Sequence, residues 1–305
     1  MLADPFENIV EQVGKVVLGK KEQIRLALAC LFARGHLLIE DIPGIGKTTL
    51  AKALSISLGL EFQRIQCTSD MLPGDILGVS VFEQKSGSFT FHKGPVFTQV
   101  LLADEINRAT PKTQSALLEA MEEHQVTVEG QTRPLHDPFF VIATQNPLEH
   151  SGTYPLPESQ LDRFLMRIEL GYPGREAERR LLKGESTKKT LSEMNTNLTR
   201  DDVKSMQENI GTVFVSDSLL EYLQDLLEFT RTAPHFHVGL SPRAGLGVLQ
   251  TAKSWAFLHG RDHVLPEDIQ AVFYWVVSHR VSSSEDLRGF PKEMFDTLFQ
   301  EVAVP

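Results

Sequence analysis

A glycine-rich turn between an apolar run and a helix start constrains the fold of this chain more than any other segment. Residues 37–39 are Leu-Leu-Ile, and residues 40–49 read Glu-Asp-Ile-Pro-Gly-Ile-Gly-Lys-Thr-Thr. Glycines let a backbone curl so that its N–H groups converge on an anion, and a helix N-terminus adds unpaired N–H donors and a positive dipole end. The segment therefore predicts a buried strand, a phosphate-binding loop and a helix in an α/β domain.

The residue types in this loop suit a nucleotide and its metal ion. Lys47 is expected to reach the β- and γ-phosphates, and the Thr48 hydroxyl is expected to bind Mg²⁺. The usual spacing places a glycine where this chain has Asp41, whereas two later glycines are kept. The alternative is a glycine-rich turn without a ligand, and the strand and helix on either side favour the phosphate loop. The predicted nucleotide-binding residues are Asp41, Pro43, Gly44, Ile45, Gly46, Lys47, Thr48 and Thr49.

Two further apolar runs end in polar residues that complete such a site. Residues 100–103 are Val-Leu-Leu-Ala, and Asp104 and Glu105 follow them directly. Carboxylates at a strand end near a phosphate loop hold Mg²⁺ and activate water, so Asp104 is assigned to the metal and Glu105 to the general base. Asn146 follows the run 139–144 and could bind the γ-phosphate or the attacking water. Its alternative role is that of a polar turn residue before a proline.

Composition excludes some classes of function. The chain has 305 residues with a net charge of −10 and a pI near 5.5. Such an acidic balance disfavours a nucleic-acid surface, although a local basic stripe stays compatible with it. Cys30 and Cys67 stand singly in apolar surroundings, which predicts buried thiols in a reducing compartment. Neither a secretory signal nor a membrane-spanning run is evident, so we expect a cytoplasmic protein without a membrane span.

The pattern of apolar residues changes near residue 171. Before it, strand and helix patterns alternate, which predicts a mostly parallel sheet. After it, apolar residues recur at helical spacing behind helix starts at 216, 241 and 266, and again over 293–299. We therefore predict an αβα nucleotide-binding core over 1–172 and a linker with a helical domain over 173–305. Residues 183–197 are polar and rich in turn-forming residues, so the linker is expected there or just before them.

Two segments interrupt the alternation of strands and helices in the core. Residues 79–91 and 126–135 alternate apolar and polar side chains around turn-forming residues, which predicts two β-hairpins. Neither hairpin is needed to complete the sheet. Each is therefore a candidate for a functional projection, and the alternative is an extension of a sheet edge.

Several motifs together resemble one known family. Residues 41–48 (Asp-Ile-Pro-Gly-Ile-Gly-Lys-Thr), 102–109 (Leu-Ala-Asp-Glu-Ile-Asn-Arg-Ala), 143–147 (Ala-Thr-Gln-Asn-Pro) and 154–164 (Tyr-Pro-Leu-Pro-Glu-Ser-Gln-Leu-Asp-Arg-Phe) resemble the MoxR family of AAA+ ATPases. Residues 240–244 (Leu-Ser-Pro-Arg-Ala) are similar to the C-terminal signature of that family. The resemblance implies a P-loop AAA+ core, with a parallel sheet flanked by helices and with β-hairpin inserts. It also implies a C-terminal all-α lid domain and makes aspartate usual at position 41.

The resemblance also implies roles for single residues. Asn146 matches sensor 1, and Arg163 matches the arginine finger, which would reach the ATP bound by a neighbouring subunit. Arg243 matches sensor 2, and its place in the first turn of a helix lets it point at an anion. The alternatives are a salt bridge of Arg163 with Asp162 or Glu158 and a solvated Arg243. In related machines the two hairpins face a central pore.

The implied function is ATP hydrolysis with Mg²⁺ by a ring, expected to be a hexamer, that remodels a protein client. The resemblance implies a partner with a von Willebrand factor A domain and a role in maturation or in metal or cofactor insertion. One alternative is a nucleic-acid motor, which the acidic charge and the lack of an aromatic and basic platform disfavour. Another is a slow ATP-dependent switch or scaffold.

Overall fold

Strands and helices alternate through the first half of the chain, and helices dominate the second half. The architecture comes from a computed structural model, which describes residues 5–85, 87–149, 151–183, 187–234, 236–283 and 292–304. The strands are β1 Leu37–Glu40, β2 Phe62–Gln66, β3 Gly78–Glu83, β4 Ser88–Lys93, β5 Val100–Asp104, β6 Gln125–Val128, β7 Gln131–Pro134, β8 Phe140–Gln145, β9 Met166–Ile168, β10 Phe236–Val238 and β11 Ser282–Ser283. The helices are α1 Pro5–Gly14, α2 Lys21–Phe32, α3 Lys47–Ser57, α4 Pro73–Leu77, α5 Pro111–Glu123, α6 Glu158–Leu161, α7 Arg175–Leu182, α8 Thr187–Ser192, α9 Arg200–Gly211, α10 Asp217–Thr232, α11 Pro242–Leu258, α12 Pro266–Val277 and α13 Lys292–Glu301.

Five parallel strands form the central sheet, in the order β2-β5-β8-β1-β9. The apolar runs of β1, β5 and β8 are buried because helices cover both faces of the sheet. Parallel strands end at one common edge, where ligands bind in open α/β sheets. The loop after β1 therefore lies beside the residues that follow β5 and β8, and the predicted parallel sheet is confirmed.

Two strands of the sheet were missed by the sequence prediction. β2 has one fully buried residue, Ile65, among mostly exposed polar ones, and β9 is only three residues long. Both lie at the edges of the sheet, where a strand has one neighbour and carries a weaker apolar signal. Pairing with β5 and β1 determines these strands more than their own residues do.

Each predicted hairpin is a separate two-stranded sheet, β3 with β4 and β6 with β7. The alternative that they extend an edge of the main sheet is wrong. The hairpins lie against each other, because the Arg133 guanidinium in β7 is 3.9 Å from the centre of the Phe91 ring in β4. Phe82 and Phe89 face each other across β3 and β4, and both are exposed.

The lid is formed by helices, as predicted. Ser216 and Ser241 cap α10 and α11 by accepting hydrogen bonds from Leu219 N and Ala244 N. Three features differ from the expectation. A capping box at Thr199 begins α9, a short antiparallel pairing joins β10 to β11, and α8 lies within the range 183–197 predicted as the linker. Residues 184–186 of that range lie outside the described residues, and the boundary between 172 and 173 stays a prediction.

The lid packs on one face of the core and shares its apolar interior. One cluster of buried residues combines α1, α2 and α3 with α10, α11 and α12, and a second cluster lies under α5 on the other face. Cys30 and Cys67 are both buried and free, as expected. Across the described ranges, no helix is both long and apolar enough to cross a membrane.

Candidate active site

The glycines of the loop between β1 and α3 are required by the backbone. Gly44 has φ 88° and Gly46 has φ 98°, both in the region that side chains with a Cβ avoid. A Cβ placed on either residue meets no atom within 4 Å. Conformation rather than space therefore selects glycine at these two positions.

The loop and the start of α3 offer main-chain donors to an anion. Within the described chain, no hydrogen bond uses the N–H groups of residues 44–48. These groups lie at the N-terminus of α3, where the helix dipole is positive. These donors have no acceptor here, and a phosphate chain would supply acceptor oxygens with a negative charge.

Lys47 is a buried lysine among carboxylates. Its Nζ donates a hydrogen bond to the main-chain oxygen of Asp41. Burial lowers the pKa of Lys47, and the negative charges of Asp41, Asp104 and Glu105 act in the opposite direction. The ammonium group is therefore held close to the place where phosphate oxygens would lie.

Asp41 fixes the shape of the loop. Its Oδ1 accepts a hydrogen bond from Ile42 N at 2.8 Å, and its Oδ2 accepts one from Gly171 N at 2.6 Å. Gly171 lies just beyond β9, where the chain leaves the sheet. The carboxylate thus connects the phosphate loop to the segment that leads towards the lid, which a glycine at this position would not do.

Thr144 in β8 orders the two acidic residues that follow β5. Its hydroxyl donates to Asp104 Oδ1 at 2.6 Å and accepts from Glu105 N at 2.9 Å. Glu105 has φ 57° and ψ 52°, a left-handed conformation that is uncommon outside glycine. The hydrogen bond to its N–H stabilises this conformation and sets the direction of its side chain.

Two polar residues of β2 also reach the acidic pair, and the sequence prediction missed both. Arg64 Nη2 donates to Asp104 Oδ2 at 2.7 Å, and Gln66 Nε2 donates to Glu105 Oε2 at 2.8 Å. Arg108 Nη1 lies 3.1 Å from the same Glu105 oxygen. Glu105 is therefore held by an amide and a guanidinium. No signal in the sequence marked these contacts, because β2 itself was not recognised.

Asn146 makes the contact of a turn residue and also lies at the phosphate cleft. Its Oδ1 accepts a hydrogen bond from Leu148 N at 3.1 Å, as a turn residue would, and the residue also lines the phosphate cleft. This cleft has a volume of about 390 Å³. Its lining residues are Pro43, Gly44, Gly46, Lys47, Thr48, Thr49, Arg64, Gln66, Asp104, Glu105 and Asn146.

A second, more apolar cleft lies on the other side of the phosphate loop. It has a volume of about 570 Å³ and shares Gly44, Gly46 and Thr49 with the phosphate cleft. This cleft has apolar walls and is continuous with the phosphate cleft. It therefore suits a planar ring system that is joined to a phosphate chain. Pro43 is also common to the two clefts. The remaining residues around the apolar cleft are Val16, Val17, Leu18, Lys20, Ile42, Ile45, Tyr172, Pro173 and Leu181.

Arg163 and Arg243 lie outside both clefts. Arg163 Nη1 is 2.8 Å from Glu122 Oε2, and Arg243 Nη1 is 3.3 Å from Glu122 Oε1. Arg163 also donates to Leu118 O at 2.8 Å, and Arg243 Nε lies 3.5 Å from Asp162 Oδ2. The expected alternative for Arg163 named the wrong partner, because it pairs with Glu122 in α5 instead of Asp162 or Glu158.

The structure thus brings the predicted residues together in two groups. Most of the predicted loop residues surround the phosphate cleft together with Asp104, Glu105 and Asn146, whereas Arg163 and Arg243 meet at Glu122. Ile45 lines the apolar cleft instead, and Asp41 holds the loop from outside both linings. A site for Mg²⁺ fits the first group, because oxygen donors face phosphate-binding N–H groups there. Among the described residues, no cluster of three or more His, Cys, Asp or Glu side chains could hold a metal ion by itself. Mg²⁺ commonly binds through one or two protein oxygens together with phosphates.

Comparison with known proteins agrees with this architecture. A family model described as the ATPase family associated with various cellular activities (AAA) matches residues 36–166, and a model of the AAA lid domain matches residues 228–299. YeaC of Bacillus subtilis (strain 168) is 45% identical over 272 residues, which cover 89% of this chain and 85% of YeaC. Chaperone MoxR1 of Mycobacterium tuberculosis (strain ATCC 25618 / H37Rv) is 37% identical over 312 residues, which cover 98% of this chain and 82% of MoxR1.

A solved structure matches the whole fold. The crystal structure of a candidate ATPase from Cytophaga hutchinsonii ATCC 33406 superposes with a TM-score of 0.89 at 38% sequence identity. The match covers 99% of this chain and 95% of that one. A phosphate loop with acidic residues at the end of β5, an AAA core and an AAA lid account for the nucleotide-binding architecture of an ATP hydrolase. The chain belongs to the MoxR family of AAA+ ATPases.

Proposed function

We propose that this ATPase hydrolyses Mg²⁺-ATP at sites that two copies of the chain complete together in a ring. The observation that carries the proposal is the position of Arg163 and Arg243. Both belong to the predicted hydrolysis set, and both lie outside the cleft that the other members of the set surround. A neighbouring copy is the partner that could bring them to a phosphate.

The roles within one copy follow from the geometry of the loop. The N–H groups at the start of α3 and the Lys47 ammonium bind the phosphates, and the apolar cleft around Val17, Leu18 and Tyr172 holds the base. Asp41 keeps the loop in shape through Ile42 and does not contact the phosphates.

Thr48 and Asp104 would hold Mg²⁺. The ion supplies positive charge that offsets the charge developing on the transferred phosphoryl group. Asp104 is positioned for this task by Thr144, which donates to one of its oxygens and leaves the other to a cation. Arg64 pairs with that second oxygen, which shows that this carboxylate attracts positive charge.

Glu105 acts as the general base, and Asn146 positions the attacking water or the γ-phosphate. The Glu105 carboxylate lies at the edge of the phosphate cleft and its backbone is fixed by Thr144. Gln66 and Arg108 hold its Oε2 by hydrogen bonds. Among the described residues no hydrogen bond uses its Oε1, and that oxygen would accept the proton of the water. A slow ATP-dependent switch stays the alternative.

Arg163 and Arg243 act on the site of the adjacent copy. An arginine supplied by a second protein stabilises the transferred phosphoryl group and is worth about 10³–10⁵ in rate in related phosphoryl-transfer enzymes. Both side chains are partly exposed, at 31% and 56%, so a neighbouring surface can reach them. Glu122 keeps the pair in place before that surface arrives.

A ring of this kind would remodel a protein client. The relative MoxR1 is named a chaperone, which supports a client-directed role. The exposed Phe82 and Phe89 on the first hairpin give such a client an apolar contact. Hexameric size, a partner with a von Willebrand factor A domain, metal or cofactor insertion and a cytoplasmic location belong to the same proposal.

Turnover as a function of protein concentration tests shared sites. If two copies form each site, ATPase activity per subunit rises with concentration and the Arg163→Ala variant stays inactive at every concentration while still binding nucleotide. Activity per subunit that is independent of concentration, with full turnover by Arg163→Ala, would contradict the proposal. Stimulation by DNA that is lost at high salt would favour the nucleic-acid alternative instead.

A further inference from the structure

An apolar groove lies on the lid beside Arg243. It runs between α10 and α11, has a volume of about 650 Å³ and has Leu223, Leu227 and Leu249 along its floor. Leu246 also lines it, although this side chain is 68% exposed. Leu246 follows Arg243 by three residues, so both lie on one face of α11. The groove therefore adjoins the side chain that is proposed to reach a neighbouring site.

One wall of the groove carries acidic side chains. Asp225 and Glu228 are three residues apart on α10, and both line the groove with exposed side chains. Arg231, a further lining residue, lies 3.7 Å from Glu228. The groove thus combines an apolar floor with carboxylates at its rim, and it suits a segment that presents an apolar side chain next to a basic one.

Helix α7 presents such a pair outside the groove. Leu182 is 84% exposed, and Arg179 is exposed three residues earlier on the same face. Leu181, which lies between Arg179 and Leu182 in the sequence, lines the apolar cleft beside the phosphate loop. Helix α7 therefore stands at the edge of the nucleotide site, as the groove stands beside Arg243.

We propose that the groove of one copy binds α7 of the next copy. Leu182 would pack against Leu246 and the leucines of the floor, and Arg179 would pair with Glu228. The inference rests on the proposed function, because an Arg243 that reaches the neighbouring site brings its groove to the α7 that borders that site. Contact of a groove with a different surface is head-to-tail, which is the geometry that closes rings.

A second copy explains both surfaces at once. Every copy carries an exposed leucine beside an arginine and a groove with an apolar floor and an acidic wall. Burial of the leucines supplies the driving force, and the opposite charges set the register and disfavour other docking positions. A separate partner would have to bring its own apolar and basic segment and would leave α7 exposed.

Sedimentation velocity of the full chain with Mg²⁺ and a non-hydrolysable ATP analogue tests the contact. Leu182→Asp and Leu246→Asp are each expected to weaken assembly at least about tenfold in concentration. Val304→Asp is the matched control, because it places the same charge on an exposed apolar residue near the end of the chain. Nucleotide binding by each isolated variant shows that it is folded.

Charge exchange gives the sharper measurement. Arg179→Glu and Glu228→Arg each place like charges across the contact and should weaken assembly, whereas the chain that carries both exchanges should assemble like the wild type. Suppose that the wild type assembles and its ATPase activity depends on Arg163, but none of these variants changes assembly. The groove contact is then wrong, and the proposal of shared sites is kept. If the wild type does not assemble with nucleotide, both fail.

Discussion

Arg163 and Arg243 bind the two oxygens of one carboxylate, that of Glu122, at 2.8 and 3.3 Å. One arginine precedes β9 in the core and the other begins α11 in the lid, so the pair exists only because the lid is docked on the core. Arg280 stabilises this docking by donating to Asp162 Oδ1 at 2.7 Å. Two cations that share one anion are held in a defined position while staying partly exposed.

The shared carboxylate predicts a specific effect of Glu122→Ala. Without it the two guanidinium groups repel each other and lose their common position, so we expect kcat to fall about tenfold. The KM for ATP should stay close to that of the wild type, because Glu122 lines neither nucleotide cleft. Steady-state ATPase kinetics measure both constants, and a raised KM with unchanged kcat would exclude this positioning role.

Glu105→Gln tests the general base. The amide keeps the shape of the side chain but cannot accept a proton, so turnover should fall about 10²–10⁴-fold. Nucleotide binding should be retained, because the phosphate-binding groups are unchanged. A fluorescent nucleotide measures binding and phosphate release measures turnover. Turnover equal to that of the wild type would remove Glu105 from the mechanism.

Thr144→Val tests the hydroxyl that joins Asp104 and Glu105. The substitution leaves an N–H and a carboxylate oxygen without their partner, which costs about 2 kcal/mol of unfolding free energy. Urea denaturation measures this loss, and ATPase activity should fall with it. Thr144→Ser is the matched control, because it keeps the hydroxyl. A Thr144→Val variant with the stability and turnover of the wild type would show that the hydroxyl does not hold the two residues.

His36 makes the stability depend on pH. Its Nδ1 accepts from Val141 N at 3.0 Å, so Nε2 carries the proton and donates to Met121 O at 3.1 Å. Burial lowers the pKa of this imidazole from 6.5 to about 4, and the nearby His124 acts in the same direction. The unfolded chain therefore binds a proton between these values that the folded chain does not.

Stability must consequently fall as the pH is lowered through this window. The His36 contribution amounts to a loss of about 2 kcal/mol between pH 7 and pH 5. Urea denaturation of the wild type and of His36→Gln at both pH values isolates this contribution, since His279, whose pKa burial also lowers, is common to both. An identical pH dependence in the two proteins would show that His36 is not its source.

The sequence predicted the centre of the fold better than its edges. The runs that became β1, β5 and β8 are buried on both faces and strongly apolar, and the glycines and lysine between β1 and α3 carry a local signal of their own. β2 and β9 were not predicted, because an edge strand forms mainly through pairing with its neighbour and carries a weak signal of its own. Because β2 was not predicted, the contacts of Arg64 and Gln66 with the two central carboxylates were not predicted either.

The sequence did not predict that Arg163 and Arg243 pair with the same carboxylate either. Each arginine was recognised from its own motif, but their common partner Glu122 lies on the polar side of α5, where a charged residue carries no distinctive pattern. Only the docking of the lid on the core brings the three side chains together. Long-range contacts between charged surface residues leave no local trace in a sequence.

Mixed assemblies of two inactive variants test most directly whether neighbouring copies share a site. Lys47→Ala should abolish nucleotide binding, and Arg163→Ala should remove the arginine that is proposed to act on the adjacent copy. The two variants are co-expressed with different tags, and assemblies that contain both are purified through the two tags in turn. Where the cleft of an Arg163→Ala copy meets Arg163 of a Lys47→Ala copy, the interface has both an intact cleft and an intact arginine. In a randomly mixed head-to-tail ring, one interface in four combines an intact cleft with an intact arginine, so activity should return to roughly a quarter of the wild-type level. Co-purified assemblies that stay as inactive as either variant alone would contradict it.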